Sequence, residues 1–288
     1  MARGIPGRDS VVTCYRHKRV RQWGWIVLGP IDAARIGFEL GYARWHEYRM
    51  KQRYGEAWPD PRQLLYVDPA EFDFKIDPFF FGEVPSRFST YVRPGDWDRD
   101  SVDPTRTFPS DYPRDGTEKR LVPIESMDRY QSFIDHFTNG VPWRDTALYH
   151  RRIDEGFQTR RYDSEEGMLE HFERLDRLYE SLKTDGYLTQ EELATSTVDT
   201  LRGMGWWHEI IVNIGRDGEL VLDDGRNRFL LAKILGLNPI PVRVLVRHET
   251  WFTSLLETRQ TGIDDRVITT HPDYPTHDET QHSHPDTA

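Results

Sequence analysis

Three short segments in the carboxyl-terminal third of the chain show the two-residue apolar spacing that is typical of a β-strand face. They cover residues 210–214, 220–222 and 242–246, with isoleucine, valine or leucine at every second position. The polar residues 216–219 separate the first two segments and contain Asp217-Gly218, a pair suited to the positive φ angles of a tight hairpin. The pattern therefore predicts a hairpin and, after one more element, a third strand.

The element between the hairpin and the third strand is predicted to be a buried helix over residues 225–235. Its residues are apolar almost all round, so the helix needs neighbours on more than one side. Asp223 or Asp224 can cap its amino terminus, Gly236 ends it, and Pro239 keeps it from resuming. The whole unit is then strand, hairpin, strand, helix, strand.

The start of this helix reads Asp-Gly-Arg-Asn-Arg, which is suited to binding an anion. The N–H groups of Gly225, Arg226 and Asn227 would point out of the helix start, where the backbone dipole attracts negative charge. Gly225 lets a phosphate approach closely, and Arg226 and Arg228 can add charge-assisted hydrogen bonds. The alternative is that Asp224 simply caps the helix while both arginines are solvated surface charges.

From Leu175 onward the chain resembles the core of the ParB/sulfiredoxin-like superfamily. Such domains join a helix and a Gly-hydrophobic-x-Gln turn to a hairpin, a glycine-arginine phosphate motif, a Leu-Gly-Leu helix end and an Ile-Pro-Val strand. The matching residues are Ser181, Leu182, Gly186, Leu188, Gln190, Gly225, Arg226, Arg228, Gly236, Ile240, Pro241 and Val242. Residues 64–72, LLYVDPAEF, resemble the first strand and Asp-Pro turn of such domains. The whole chain also resembles proteins of halophilic archaea that carry this domain.

The resemblance implies that Gly225, Arg226 and Arg228 hold nucleotide phosphates, as in relatives that use ATP, CTP or ADP. Two activities do not carry over. Sulfiredoxin needs a cysteine within the phosphate motif, whereas the one cysteine here is Cys14. ParB partition proteins continue into a helix-turn-helix DNA-binding domain, but the 40 residues after His248 are too polar and proline-broken to build one.

Residues 191–208 separate Gln190 from the next strand and are expected to contribute to the ligand pocket together with Gln190. Glu191 or Glu192 as a general base and His208 as a proton shuttle are chemically reasonable. The plainer interpretation is that the glutamates are helix-face carboxylates and that His208 is a partly exposed histidine.

Asp223 and Asp224 stand beside the predicted phosphate site, where two carboxylates would repel the ligand unless Mg²⁺ or an arginine lies between them. Nucleotide chemistry at this site therefore predicts a magnesium ion held by one of these aspartates.

Composition indicates the cellular environment in which the protein is expected to work. Aspartate and glutamate total 48 against 38 basic residues, a net charge of −10, and arginine far outnumbers lysine. An acidic, lysine-poor surface suits a salt-rich cytoplasm, although an arginine-rich genome would also give this balance of charged residues.

One cysteine excludes an internal disulfide and a cysteine-based metal cage. No signal peptide and no apolar run near the ~20 residues of a membrane span is apparent, so the expected location is the cytoplasm.

The chain as a whole predicts an α/β (α+β) fold, a ParB/sulfiredoxin-like mixed sheet with packed helices. Its expected parts are a basic arm and a helix (1–63), the core (64–247) with a long aromatic-rich insertion (about 76–163), and a helix with a polar tail (248–288). The strand at 64–67 should join the later strands in one sheet. Helices are predicted at about 32–53, 127–137 and 147–157, and Ser164 should cap another. Trp97 and Trp143 are predicted to be packing anchors.

Three classes of function follow. The first is a nucleotide-binding protein that acts as a phosphotransferase or hydrolase, and the second is a non-catalytic nucleotide or anion sensor that regulates a partner. The third is DNA binding, which ranks last because residues 178–250 carry 8 basic and 11 acidic side chains and so lack a basic footprint.

Overall fold

The computed structural model describes residues 30–77, 84–99, 120–154, 156, 164–194, 205–262 and 265–274. A seven-stranded mixed sheet organises this part of the chain. Its strands are β1 (Leu64–Val67), β2 (Phe74–Asp77), β3 (Tyr91–Arg93), β4 (Arg120–Pro123), β5 (Ile210–Ile214), β6 (Leu220–Asp224) and β7 (Ile240–His248).

The strand order is β1-β7-β5-β6-β2-β4, with β3 also paired to β7. Strand β7 runs parallel to β5 and β3 but antiparallel to β1. The hairpin strands β5 and β6 are antiparallel, β6 is parallel to β2, and β4 closes the far edge antiparallel to β2. The chain therefore has an α/β fold, and the four strands predicted to share one sheet do share it.

Both faces of the central strands are covered, which explains why β5 and β7 are buried along their whole length. Ile210, Val212 and Ile214 belong to the main core, whereas Ile211 belongs to a second cluster. Because side chains alternate across a strand, these two clusters lie on opposite faces of the sheet. The sequence pattern of β5 had predicted apolar residues on one face only.

Helices α1 to α8 surround the sheet. They are α1 (Pro30–Tyr54), α2 (Asp128–Phe137), α3 (Ala147–Asp154), α4 (Glu165–Asp185), α5 (Gln190–Ala194), α6 (Arg226–Leu235), α7 (Glu249–Thr261) and α8 (Arg266–Thr269). The predicted helices at 32–53, 127–137, 147–157 and 225–235 correspond to α1, α2, α3 and α6. Ser164 caps α4 as predicted, since its hydroxyl accepts a hydrogen bond of 3.2 Å from the N–H of Gly167.

The main core lies between the sheet and helices α4 and α6. Met168, Phe172 and Leu175 give α4 a buried stripe, and residues 229–232 of α6 are completely buried. Trp143 stacks on Phe172 at a ring distance of 4.5 Å. Its indole N–H donates to the carboxylate of Asp176 at 2.7 Å. Trp143 is thus a packing anchor, and Trp97 is buried in the second cluster, as predicted for both.

The stretch at about 76–163, expected to interrupt the core, takes part in the sheet. Strands β3 and β4 and helices α2 and α3 all lie within it. The sequence did not predict β3 and β4, because strands of three and four residues are too short to show an alternation of apolar and polar positions.

The prediction of a polar tail within residues 248–288 was wrong for residues 265–274, which pack against the main core. The carboxylate of Asp273 is buried in an ion pair with Arg247, 2.5 Å away, and accepts a hydrogen bond of 3.1 Å from the indole of Trp251. His271 packs on Trp251 with a ring distance of 4.4 Å. Residues 1–29, which include the predicted basic arm, and residues 275–288 lie outside the described residues.

Candidate functional site

Gly225 forms the turn that carries the chain from β6 into α6. It has φ 83° and ψ 16°, in the left-handed region, and it is the N-cap residue of α6, where it has no side chain to accept a capping hydrogen bond. The predicted cap by Asp223 or Asp224 is therefore wrong. An ideal Cβ at this position would stand 3.0 Å from the Cα of Ile210, so β5 packs directly against the turn and a larger residue would have to displace it.

Arg228 points from the first turn of α6 into the protein. Its guanidinium lies 3.4 Å from the carboxylate of Glu209 and donates to the hydroxyl of Tyr187 at 3.0 Å and to the carbonyl of His208. The Arg228 and Glu209 side chains are 5% and 0% exposed. Burial raises the pKa of Glu209, and the charge of Arg228 opposes that rise. Arg228 is thus a buried, paired cation and not the solvated charge of the alternative interpretation.

Gln190 meets Arg228 where the chain enters α5. Its backbone N–H donates to the carboxylate of Glu209, and its side-chain Nε2 is buried without a hydrogen-bond partner among the described residues. Gln190, Tyr187 and Arg228 line a cavity of about 20 Å³, room for one water molecule. The predicted proximity of Gln190 to the glycine-arginine motif is therefore present, but the cavity between them is far smaller than a nucleotide.

Arg226 and Asn227 differ in exposure. Arg226 is partly exposed, whereas Asn227 is buried. The Asn227 side-chain oxygen accepts a hydrogen bond of 3.1 Å from the guanidinium of Arg129 in α2, which is itself 6% exposed. Sequence reasoning missed Arg129 because nothing local signals a partner 98 positions away. Its contact holds α2 against the start of α6.

Asp223, a predicted magnesium ligand, has a structural partner instead. Its carboxylate is 1% exposed and accepts a hydrogen bond of 2.8 Å from the amide of Asn213. Asn213 in turn accepts from the backbone N–H of Val246 at 3.1 Å. This chain of contacts ties β6 to β5 and β7.

Asp224 is partly exposed. Within the described ranges no three histidine, cysteine, aspartate or glutamate side chains are grouped closely enough to hold a metal ion. A magnesium ion held by one aspartate together with nucleotide phosphates needs no such group, so the predicted role of Asp224 stays a prediction.

Glu192, a predicted general base, belongs to a capping box at the start of α5. Its carboxylate accepts from the backbone N–H and the hydroxyl of Thr189 at 2.7 and 2.9 Å, while the Thr189 hydroxyl accepts from the N–H of Glu192 at 3.1 Å. The Thr-x-x-Glu spacing of residues 189–192 was a readable signal for this role. Glu191 is exposed at the neighbouring position.

His208, the predicted proton shuttle, has an exposed side chain that lies against Trp207 at a ring distance of 3.8 Å. It contributes its backbone carbonyl to Arg228. Trp206 and Trp207 contact Phe88, so the described end of the 191–208 segment is held by packing. Helix α5 and residues 205–208 contact each other, so the three predicted catalytic residues lie on neighbouring segments, and their catalytic roles stay predictions.

Arg243 of β7 is a buried charge that sequence reasoning missed. It is 0% exposed, and its three guanidinium nitrogens have no hydrogen-bond partner among the described residues. The guanidinium lies 5.3 Å from the centre of the Trp206 ring, a cation–π distance. Burial lowers the pKa of Arg243 to about 10, and the Asp223 carboxylate opposes this. The negative charge of Asp223 therefore acts on Arg243, while its carboxylate accepts from Asn213.

Among the described helices, none combines the length and the apolar character needed to cross a membrane. Comparison with known proteins found no matching family model, no similar curated protein and no similar solved structure.

Proposed function

We propose that this protein binds a nucleoside di- or triphosphate at the start of α6, with the phosphates at Gly225 and Arg226. The observation that carries the proposal is the meeting of an uncapped helix start with Arg228 and Gln190. A helix amino terminus bears partial positive charge, and Arg226 is accessible beside it. The resemblance to the ParB/sulfiredoxin-like superfamily points to the same ligand class.

Arg228 reaches a phosphate only if its present contacts change. Phosphate oxygens can replace the Glu209 carboxylate as acceptors, because a guanidinium binds either group with the same donor geometry. The ligand then also offers an acceptor to the unpartnered Nε2 of Gln190. Since the cavity holds only about 20 Å³, occupation requires α5 to move away from Arg228.

A sensor that changes shape on binding is favoured over an enzyme that transfers phosphate. Glu192 is used in a capping box, and Glu191 is exposed beside it. In this proposal the nucleotide phosphates replace the Glu209 carboxylate as the acceptor of Arg228. The resulting movement of α5 signals to a partner that the nucleotide is bound. Phosphoryl transfer remains the second candidate, with Glu191 as the base. Any Mg²⁺ would arrive with the nucleotide phosphates, since the described acidic residues do not form a cage for it.

A thermal-shift panel with ATP, ADP, CTP and GTP, each with and without Mg²⁺ at high salt, tests the proposal. A ligand at 100 times its dissociation constant stabilises a protein by about 2.7 kcal/mol. The corresponding nucleosides and inorganic phosphate are matched controls that separate recognition of the base from that of the phosphates. Absence of a shift and of calorimetric heat for all four nucleotides would overturn the proposal. Chromatography of the nucleotide after incubation separates the two candidates, since a sensor leaves it intact.

A further inference from the structure

The outward face of helix α1 presents three large aromatic side chains to solvent. Phe38, Trp45 and Tyr48 are 69%, 50% and 65% exposed. Their spacing of seven and three residues puts them on one side of the helix, over a length of about 15 Å. The opposite side packs on the protein, where the ring of His46 lies 4.8 Å from that of Tyr91. The aromatic face of α1, formed by the three exposed rings, is therefore an apolar surface of the kind that marks a binding site.

Positive charge borders the aromatic face of α1. Between positions 34 and 53 every exposed charged residue is basic, and these residues are Arg35, Arg44, Arg49, Lys51 and Arg53. The two acidic residues of the same stretch, Glu39 and Glu47, are half-buried. The carboxylate of Glu39 is shared by Arg87 at 2.9 Å and by Arg35 at 3.5 Å. The exposed surface of this part of α1 is therefore basic.

This basic surface belongs to a separation of charge along the whole chain. Residues 1–53 contain 11 basic and 4 acidic residues, a net charge of +7, whereas residues 54–288 contain 27 and 44, a net charge of −17. On α1, the guanidinium of Arg49 lies 5.0 Å from the centre of the Trp45 ring and makes no ion pair with a described residue. A positive region on an otherwise acidic protein attracts polyanions. A second copy of the chain does not fit this surface through its own α1, because the two basic faces would repel each other.

The types of side chain on α1 indicate which polyanion fits. The larger aliphatic residues between positions 34 and 53, which are Ile36, Leu40 and Met50, are half-buried, so aromatic rings supply almost all of the exposed apolar surface. Insertion into a lipid membrane draws on aliphatic side chains as well. Unpaired bases, in contrast, stack on aromatic rings while their phosphates bind arginine. A duplex does not offer this contact, because neighbouring bases cover the ring faces.

We propose that the aromatic face of α1 binds single-stranded nucleic acid, with bases stacked on Phe38, Trp45 and Tyr48 and phosphates on the bordering arginines. Stacking requires only a ring, so binding depends little on base sequence. Contacts to phosphates release counterions, so affinity falls steeply as the salt concentration rises. The surface shares no residue with the cavity at Arg228, and the proposal is independent of nucleotide binding at α6.

Fluorescence anisotropy of labelled oligonucleotides measures this binding in the full chain. The probes are oligo(dT) and oligo(U) of about 15 nucleotides, used at the lowest KCl concentration at which circular dichroism shows the protein folded. Both are expected to bind with an affinity that falls as KCl is added, and their comparison shows whether the sugar is also recognised. A duplex of oligo(dT) with oligo(dA), poly-glutamate, and vesicles that contain phosphatidylserine are all anionic but offer no unpaired bases. Each should bind at least about tenfold more weakly.

Trp45→Ala should weaken oligonucleotide binding about 5- to 150-fold, the loss expected when one stacked base is released. Trp45→Phe should restore most of the affinity, because phenylalanine keeps a ring for stacking. Arg49→Gln should weaken binding and flatten its dependence on KCl, because one phosphate contact is lost.

Two arginine variants are matched controls. Arg266→Gln, at an exposed arginine in α8, and Arg226→Ala, at the α6 site, should bind the oligonucleotides like the wild type. Absence of binding for both oligonucleotides, or undiminished binding in Trp45→Ala, would overturn the proposal. Equally tight binding of the duplex, of poly-glutamate or of the vesicles would overturn it as well, since each would show that unpaired bases are not what α1 recognises.

Discussion

Arg228 in the first turn of α6 and Glu209 immediately before β5 form an ion pair of 3.4 Å in which both side chains are almost completely buried. The pair joins the candidate site to the sheet, because Glu209 also accepts from the backbone of Gln190 and from Tyr187. Site and core are therefore energetically coupled at this point, and substitutions here should change stability as well as binding.

Arg228→Ala should lower the free energy of unfolding by about 3–5 kcal/mol, since it leaves the Glu209 carboxylate buried without its counter-charge. Urea denaturation followed by circular dichroism measures the loss. The double variant Arg228→Met/Glu209→Leu should recover a large part of it, because an apolar pair of similar size carries no desolvation penalty. A loss below about 0.5 kcal/mol for the single variant, typical of surface positions, would contradict this account.

Gly225→Ala should destabilise the protein more than Gly236→Ala does. Both glycines have left-handed φ angles, 83° and 65°, so each substitution carries a conformational cost of about 1–2 kcal/mol. At Gly225 the added Cβ also meets Ile210 at 3.0 Å, whereas nothing lies within 4 Å at Gly236. Equal shifts of the urea midpoint for the two variants would show that β5 yields to the new methyl group.

Arg226→Ala tests the nucleotide proposal without breaking the buried pair, because Arg226 is partly exposed. We expect nucleotide affinity to fall by about 1.5–3 kcal/mol in calorimetry, the typical worth of a hydrogen bond to a charged group. The unfolding midpoint should change little.

Two controls make the Arg226 result specific. Arg266→Ala removes an exposed arginine in α8, which is far from α6 in the chain, and should leave nucleotide affinity unchanged. Leu231→Ala, at a completely buried position of α6, should instead lower the free energy of unfolding by about 2–5 kcal/mol. Equal affinity of wild type and Arg226→Ala for a nucleotide that does bind would place the phosphates elsewhere.

His271 should make stability fall as the pH is lowered. Its Nδ1 accepts from the N–H of Asp273 at 3.0 Å, so Nε2 carries the proton that reaches the carbonyl of Gly218 at 2.9 Å. Burial lowers the pKa of His271 below its ordinary value of 6.5; the charge of Arg247 acts in the same direction and that of Asp273 opposes it. The unfolded chain therefore binds the proton first, and the stability contributed by neutral His271 is lost as the pH falls from about 6.5 through the lowered pKa.

The measurement is the urea midpoint between pH 7.5 and pH 5 for wild type and His271→Gln. The variant should lose less stability over this interval, because glutamine does not titrate. An NMR titration of the His271 ring checks the direction independently, and a pKa at or above 6.5 would contradict the prediction.

The sequence predicted the secondary structure of the central unit well. The alternation in residues 210–222, the Asp217-Gly218 turn and the helix ending at Gly236 all depend on neighbours in the chain, and such local preferences are readable without a fold. The capping box of Thr189 and Glu192 is equally local, because the Thr-x-x-Glu spacing that forms it lies within four residues.

The candidate site was predicted only in part. The sequence placed Gln190 beside the glycine-arginine motif through a resemblance, and the structure has them in one cavity. The sequence could not show that Arg228 is paired with Glu209, that Asn227 is held by Arg129, or that Asp223 is held by Asn213. With 38 basic and 48 acidic residues, the sequence allows many different ion pairs and does not indicate which of them form.

In the central unit, residues 210–246, the sequence by itself determined the order of strand, turn, strand, helix and strand. Only the tertiary structure decided which charges meet in the interior and which face a cavity. The physical reason is that hydrophobic patterning acts over a few residues, whereas the cost of burying a charge is relieved by one specific partner. The fold brings that partner from far along the chain, as it brings Asp273 to Arg247 and Arg129 to Asn227.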